Sequence, residues 1–199
     1  MNRLTSLAAA SLATALCLGG CASMNSGAGW ETLIDGANGM ENFTDLGGAN
    51  WRPEGGAIVA DRRPGNDSTF LVSKKSYKDF QIHAEFWVSD DANSGIYMRC
   101  ADTRPMTDRT CYEANIFDRR PDPTYGTGAI VHLSPVSPMP KAGGKWNTYD
   151  ITAKGTRMTV VLNGVQTAQA DDGKLPSGPI ALQYAGGVVK FRKMQTKPL

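Results

Sequence analysis

The chain has 199 residues, of which 41% are hydrophobic and 20% are charged. This composition is typical of a globular domain with a sizeable core, and it excludes a disordered or fibrous chain. The formal net charge is +2, with basic and acidic residues interspersed and no Lys/Arg run. A nucleic-acid partner, which needs a concentrated basic surface, is therefore not expected.

The N-terminal segment has the layout of a secretory signal, because Arg3 precedes an uncharged apolar run that ends in small residues. The run is shorter than the roughly 20 apolar residues that span a membrane. It ends in LGGC, which resembles the lipobox of bacterial lipoproteins and would make Cys21 the lipid-modified first residue of the mature chain. The alternative is an ordinary signal with an accidental cysteine.

These observations predict a signal peptide over residues 1–20, a flexible tether over 21–29 and a single domain over 30–199. Lipid chains on Cys21 would anchor the protein to a membrane. The predicted location is the bacterial cell envelope, with the domain facing the periplasm.

Two cysteines remain for the domain, because Cys17 leaves with the signal and Cys21 is taken by lipid. An exported compartment is oxidising, so we predict a disulfide between Cys100 and Cys111 that stabilises the fold by roughly 3 kcal/mol. The alternative is a metal-binding or catalytic thiol pair, but no histidine cluster accompanies these cysteines.

From Trp30 onward, short alternating apolar stretches recur between turn-forming residues, and helical periodicity is missing. The pattern predicts an all-β sandwich or barrel, with a tight hairpin turn at Asn163-Gly164 and a surface loop at SPVSPMPKAGG. The predicted strands are Ala57–Asp61, Thr69–Ser73, Asp79–Ser89, two stretches within Asn93–Asp118, Gly128–Leu133, Lys145–Ala153, Arg157–Ala168, Gly178–Tyr184 and Val188–Thr196.

Side chains alternate along a strand, so the parity of the apolar residues separates core positions from the opposite face. Carboxylates, amides and guanidinium groups bind sugar hydroxyls, and aromatic rings stack on pyranoses. A set suited to a carbohydrate site lies on non-core faces; the alternative is a merely solvated sheet face. Its members are Glu85, Trp87, Tyr97, Arg99, Glu113, Asn115, Gln183 and Arg192.

The two cysteines constrain how Arg99 and Glu113 can face each other. If Cys100 lay directly opposite Cys111, Arg99 would oppose Tyr112, and Glu113 would lie behind it. We therefore predict that the disulfide lies just beyond the ladder or beside a bulge, so that Arg99 and Glu113 point into the same groove.

Several stretches of the chain occur together in one known family. Their order resembles the 3-keto-disaccharide hydrolase domain family over nearly the whole predicted domain. The resemblance implies a two-sheet antiparallel jelly-roll of the concanavalin A-like lectin and glucanase type, with a concave sheet that holds carbohydrate. It also implies cleavage of 3-keto-glycosides, by hydrolysis or by elimination followed by hydration. The stretches are EFWVSDDANSGIYMR, CYEANIFD, YGTGAIVHLSPV, GGKWNTYDITAKG, VLNGV, GPIALQY and VVKFRKMQTKPL.

A ketone at C3 acidifies the hydrogen at C2, so one base can form an enolate that expels the C1 substituent, while a cation or hydrogen-bond donor stabilises the oxyanion. The resemblance implies Glu113 as this base and Arg99 as its partner, and His132 is a second candidate base. The predicted substrate-binding residues are Glu85, Trp87, Asn93, Tyr97, Asn115, Asp118, Gln183 and Arg192.

Other functions stay open at this point. Glu85 and Glu113 could form the carboxylate pair of a conventional glycosidase. The stretch LQYAGG departs from the LQDHG common in the family, which favours a non-catalytic carbohydrate-binding module. A structural envelope protein with a merely wet outer face is a third possibility. His83 and His132 are the only histidines and lie in no ligand motif, so no metal or other cofactor is expected.

Overall fold

The computed structural model describes residues 29–199. The predicted signal peptide, the lipidation site at Cys21 and the tether up to residue 28 lie outside the described residues. No helix within residues 29–199 has the length and apolar character needed to cross a membrane.

The strands of this part of the chain are β1 (Glu31–Asp35), β2 (Phe43–Leu46), β3 (Arg52–Glu54), β4 (Ala57–Ala60), β5 (Thr69–Tyr77), β6 (Phe80–Val88), β7 (Asn93–Met98), β8 (Tyr112–Ile116), β9 (Trp146–Lys154), β10 (Arg157–Leu162), β11 (Val165–Asp171), β12 (Gly178–Gly186) and β13 (Val189–Pro198). Two short 3₁₀ helices cover Met40–Asn42 and Pro123–Tyr125.

The strands form two antiparallel sheets. The larger sheet has the order β11-β10-β9-β6-β13-β4-β3, with β1 also paired to β13, and the smaller sheet has the order β2-β5-β12-β7-β8. The chain changes sheet repeatedly, since β6 and β9 are neighbours in the larger sheet while β7 and β8 lie in the smaller one. The predicted two-sheet antiparallel jelly-roll is confirmed.

The core lies between the two sheets, and parity identifies its members. Along β6, alternate residues from Phe80 to Val88 are buried, while the residues between them are half-exposed. Phe86 packs against Tyr149 and Phe191 from neighbouring strands of the same sheet. On β8, by contrast, all five residues are buried. The outer face of the smaller sheet is therefore covered, and that of the larger sheet is open at β6.

Two details of the predicted strand pattern are wrong, and one is confirmed. In the predicted strand Gly128–Leu133, Ala129 to Val131 are buried and Leu133 is exposed. The segment forms a turn with isolated bridges at Ile130, because His132 has a positive φ of 66°. The strands β1 to β3 were not predicted, since they are short and carry few apolar residues. The predicted hairpin between β10 and β11 is confirmed, with positive φ at Asn163 and Gly164.

Candidate functional site

The disulfide loop (Cys100–Cys111) folds onto the outer face of the smaller sheet. The disulfide is present, and the antiparallel ladder between β7 and β8 ends just before it, at the pair Met98 and Tyr112. Met106 and both cysteines pack against apolar residues of the sheet face. The predicted position of the disulfide beyond the ladder is confirmed, and it holds a loop over the sheet.

Beside this loop lies a cavity of about 260 Å³, which we call the Glu113 cavity. Four residues that the sequence predicted converge there from three strands: Asn93 and Tyr97 on β7, Glu113 on β8 and Gln183 on β12. The complete lining is Ser68, Phe70, Asn93, Tyr97, Met106, Thr107, Asp108, Glu113, Arg120 and Gln183.

Glu113 is held in place by its strand partners. It lies directly opposite Tyr97, so the two side chains share one face of the sheet. Its side chain leans across Gly95, where an added Cβ would lie only 2.7 Å from Oε1 and 3.1 Å from Cγ of Glu113. Gly95 thus provides the space that the carboxyl group occupies. Only 4% of the surface of Glu113 is exposed.

Burial raises the pKa of Glu113 to about 8. A hydrogen bond with Tyr97 and the positive charge of Arg120 act in the opposite direction, while the negative charge of Asp108 adds to the rise in pKa. A carboxyl group with this pKa is protonated at acidic pH and can both release and accept a proton near neutrality, as a general acid or base must.

Gln183 provides an unsatisfied acceptor in the same cavity. Its Nε2 donates hydrogen bonds to Ser68 Oγ at 3.2 Å and to Tyr97 Oη at 3.1 Å. Its Oε1 is buried and has no hydrogen-bond partner. The Tyr97 ring packs edge-on against Phe70, with 5.1 Å between ring centroids. Because a buried acceptor is costly to leave unpaired, Oε1 is suited to receive a hydrogen bond from a ligand hydroxyl.

The prediction that Arg99 and Glu113 point into one groove is wrong. Arg99 has a φ of 52°, which interrupts the alternation of side chains at the end of β7 and turns the guanidinium away from the cavity. It is 1% exposed and donates hydrogen bonds to the carbonyls of Lys78 and Gly155 and to the carboxylate of Asp79, at 2.7 to 3.1 Å. Arg99 therefore ties the base of the disulfide loop to two turns of the chain.

Glu85, Trp87 and Arg192 lie on the outer face of the larger sheet. Arg192 Nε is 2.5 Å from Glu85 Oε2, and its guanidinium stacks over Trp146 at 4.3 Å from the ring centroid. Packed sheets are about 10 Å apart, and Glu85 and Glu113 point outward from opposite sides of that core. The two carboxylates therefore cannot act as a conventional glycosidase pair, and these three residues do not belong to the Glu113 cavity.

Asp118 and Asn115 hold neighbouring segments and do not line the cavity. The Asp118 carboxylate accepts hydrogen bonds from Thr127 Oγ1 at 2.6 Å and from the backbone N–H of Gly143 at 2.9 Å. Asn115 Nδ2 donates to the carbonyl of Tyr125 at 2.6 Å. The substrate-binding role of Asp118 was predicted from its motif position and that of Asn115 from strand parity. The contacts point instead to positioning of the chain around β8.

His132 lies behind the cavity wall. Its Nε2 is 2.8 Å from Asp108 Oδ2, and Asp108 lines the Glu113 cavity. His132 itself does not line it, so its link to Glu113 runs through Asp108. Within residues 29–199, no group of three or more His, Cys, Asp or Glu side chains is arranged to hold a metal ion.

Two charged residues of the cavity were missed by sequence reasoning. Asp108 lies in the disulfide loop and Arg120 follows β8, and both reach the cavity from outside the ladders. Strand parity says nothing about loop residues, so no pattern singled them out. Arg120 lines the cavity, whereas Arg99, which was predicted there, does not.

Many solved structures resemble this fold. A candidate glycosyl hydrolase from Parabacteroides distasonis has 20% identity and a TM-score of 0.71, with 86% of this chain and 94% of that chain covered. A Bacillus subtilis protein of unknown function with a galectin-like fold has 10% identity and a TM-score of 0.64, with 83% and 93% covered. Carbohydrate-binding module CBM66 from Bacillus subtilis has 14% identity and a TM-score of 0.57, with 85% and 95% covered.

The chain is thus a jelly-roll protein of the galectin and concanavalin type, with a polar cavity on the outer face of its smaller sheet. Residues 29–197 match the family of 3-keto-alpha-glucoside-1,2-lyase-like domains, and the chain belongs to this family. No curated protein shows significant sequence similarity to it.

Proposed function

We propose that this protein cleaves 3-keto-glycosides and that Glu113 is the base that begins the reaction. The observation that carries the proposal is a carboxyl group with a pKa of about 8, buried at a cavity of about 260 Å³ among hydrogen-bonding side chains. Membership of the family of 3-keto-alpha-glucoside-1,2-lyase-like domains supports the same substrate class.

In the first step, ionised Glu113 removes the hydrogen at C2 of the 3-keto-sugar, and the C2–H electron pair becomes the C2–C3 double bond of an enolate. Arg120 lies in the cavity as the cation that stabilises the enolate oxygen. The enolate then re-forms the ketone, the C1–C2 double bond forms as the C1–O bond breaks, and the departing oxygen takes the proton that Glu113 removed from C2. Addition of water across the resulting C1–C2 double bond completes a net hydrolysis.

The remaining cavity residues orient the sugar. Gln183 Oε1 accepts from a sugar hydroxyl, and Asn93 offers an amide at the cavity wall. Asp108 connects the cavity to His132, which stays a second candidate for proton transfer. This arrangement assigns binding and chemistry to one cavity.

The test is incubation of the protein with a C3-oxidised disaccharide and quantification of released monosaccharide. We expect turnover by the wild type and a loss of about 100-fold or more in kcat for Glu113→Gln. Glu85→Gln is the matched control, because it makes the same chemical change on the opposite outer face. Equal loss in both variants, or none in Glu113→Gln, rules out the role of Glu113.

A second candidate is a carbohydrate-binding protein without catalysis. The unpartnered Gln183 Oε1 favours it, since this acceptor suits an unoxidised sugar equally well, and similarity to CBM66 shows that the fold is used by a carbohydrate-binding module. Micromolar binding of an unoxidised glycan, with no turnover of any 3-keto-sugar, would select this function.

We also propose that the protein is exported and anchored to a membrane through Cys21, on the basis of the LGGC sequence at the end of the apolar run. Expression in a bacterium with labelled fatty acid tests the anchor. The wild type should carry the label and sediment with membranes. Cys21→Ser should lose both properties, and label retained by that variant would contradict the proposal.

A further inference from the structure

Two further cavities lie beside the Glu113 cavity on the same sheet face. It shares Ser68 and Met106 with a second cavity of about 440 Å³. The second cavity shares Leu46 and Arg104 with a third of about 400 Å³. Because neighbouring cavities have wall residues in common, they lie side by side along the sheet face, and we call this series of three cavities the sheet groove.

The sheet groove crosses the smaller sheet from β8 at one edge to β2 at the other. It begins at Glu113, passes Phe70 on β5 and reaches Thr44 on β2. The disulfide loop lines the groove as well, with Thr103–Met106 in the second cavity and Thr103 and Arg104 in the third. The chemistry proposed for Glu113 therefore lies at one end of the groove and not at its centre.

The third cavity, at the β2 end of the groove, is lined by the types of side chain that bind sugars. Hydroxyl groups come from Thr44 and Ser76, and charged groups come from Asp45, Lys74 and Arg104. Hydroxyl, carboxylate and cationic groups together satisfy the donors and acceptors of sugar hydroxyls. Neither Lys74 nor Arg104 takes part in an ion pair within the part of the chain that the structure describes.

Size indicates how much of a ligand each part can hold. Sites for whole small molecules have volumes of about 300–1,000 Å³. At about 260 Å³ the Glu113 cavity falls below this range, whereas the second and third cavities each fall within it. The Glu113 cavity is therefore suited to one terminal sugar ring, and the rest of the groove has room for several more units.

From this geometry we infer that the protein acts on oligosaccharides whose terminal ring is oxidised at C3, with the departing chain bound along the sheet groove toward β2. This inference rests on the proposed function, because it takes Glu113 as the reacting end. It adds the substrate class: a 3-keto-sugar carrying an oligosaccharide leaving group, in preference to a disaccharide.

The test compares a disaccharide and a tetrasaccharide of glucose, each oxidised at C3 of the non-reducing ring, in both α-1,4 and β-1,4 series. We expect kcat/KM of the wild type to be at least tenfold higher for the tetrasaccharide in one series. Ser76→Trp fills the third cavity and should lower this preference at least tenfold. Gln169→Trp, an exposed position on β11 of the larger sheet, is the matched control and should retain the preference.

A binding measurement keeps this test separate from catalysis. We expect Glu113→Gln to bind the tetrasaccharide at least tenfold more tightly than the disaccharide in calorimetry, and Ser76→Trp in that background to abolish the difference. Equal affinities for the two lengths overturn the groove inference, even if the wild type cleaves both. Tight length-dependent binding without any cleavage supports the groove and contradicts the proposed chemistry.

Discussion

Tyr97 and Glu113 are directly opposed on neighbouring strands, and the phenol hydroxyl and the carboxyl group interact on the covered face of the smaller sheet. Burial raises the pKa values of both groups. Tyr97 therefore stays protonated, whereas Glu113 is the group of the pair that can exchange its proton near neutral pH.

The rate of 3-keto-glycoside cleavage should rise with pH. Glu113 must be ionised to act as the base, and its pKa is about 8. We therefore expect kcat/KM to rise about tenfold per pH unit below pH 8 and to level off above it. A pH-rate profile from pH 5 to 10 checks this; a rate that falls through pH 8 would show that the protonated form is the active one.

Substitutions around Glu113 should move this pKa in opposite directions. Asp108→Asn removes a negative charge that raises the pKa of Glu113, so the midpoint of the profile should move to lower pH. Tyr97→Phe removes a hydrogen bond that lowers the pKa, so the midpoint should move to higher pH. Carboxyl NMR shifts of selectively labelled glutamate provide a readout that does not depend on turnover. Movement of both variants in one direction would contradict the assigned contacts.

Glu113 should also make stability depend on pH. Its folded-state pKa of about 8 lies above the ordinary value of 4.5, so the folded state holds the proton more tightly than the unfolded state. The free energy of unfolding should fall as pH rises from 4.5 to 8, by about 5 kcal/mol from this group.

Glu113→Gln removes this ionisation, so the variant should match the wild type near pH 4.5 and exceed it in stability above pH 8. Urea unfolding at several pH values measures the difference. Glu85→Gln is again the control and should not reproduce the gain at high pH. A constant offset between Glu113→Gln and the wild type would show that ionisation of Glu113 is not its cause.

Gly95 should be required for catalysis because it leaves room for the Glu113 carboxyl group, although Gly95 itself does not contact the substrate. A Cβ at this position would meet Glu113 Oε1 at 2.7 Å, so Gly95→Ala must displace the carboxyl group. We expect a loss of about 100-fold in kcat with the fold retained. Gly173→Ala, at an exposed site where the nearest atom is a Thr156 methyl carbon at 3.1 Å, is the matched control. Full activity of Gly95→Ala would contradict the position assigned to Glu113.

Substitution of Arg99 should lower stability, whereas substitution of Arg120 should lower catalytic activity. Arg99→Met breaks three partly buried hydrogen bonds and should lower the free energy of unfolding by about 3 kcal/mol. Arg120→Met should leave stability nearly unchanged and lower kcat about 100-fold. Thermal unfolding and turnover of the two variants measure both effects. The reverse pattern would restore Arg99 as the catalytic cation.

The all-β architecture could be predicted because alternation of apolar residues is a local property of each strand. Along β6 the parity identified every buried position from Phe80 to Val88 correctly. The disulfide was predictable for a different reason, because the cysteine count left one pair, Cys100 and Cys111. The strand pairing that keeps the apolar residues of both strands in the core places this pair beyond the end of the ladder. Runs such as Gly128–Leu133 misled the same reasoning, because a buried apolar segment can also form a turn.

The chain's own alternation of residues determined that Glu113, Tyr97 and Gln183 lie on a face away from the core. Alternation could not assign Glu85 and Glu113 to different sheets, since each sheet of a sandwich has its own outer face with the same parity. Only the tertiary structure separated those faces, turned Arg99 away through a single left-handed residue and brought Asp108 and Arg120 in from loops. Strand neighbours and loop paths depend on contacts between segments that are distant in sequence. They therefore cannot be predicted from local periodicity.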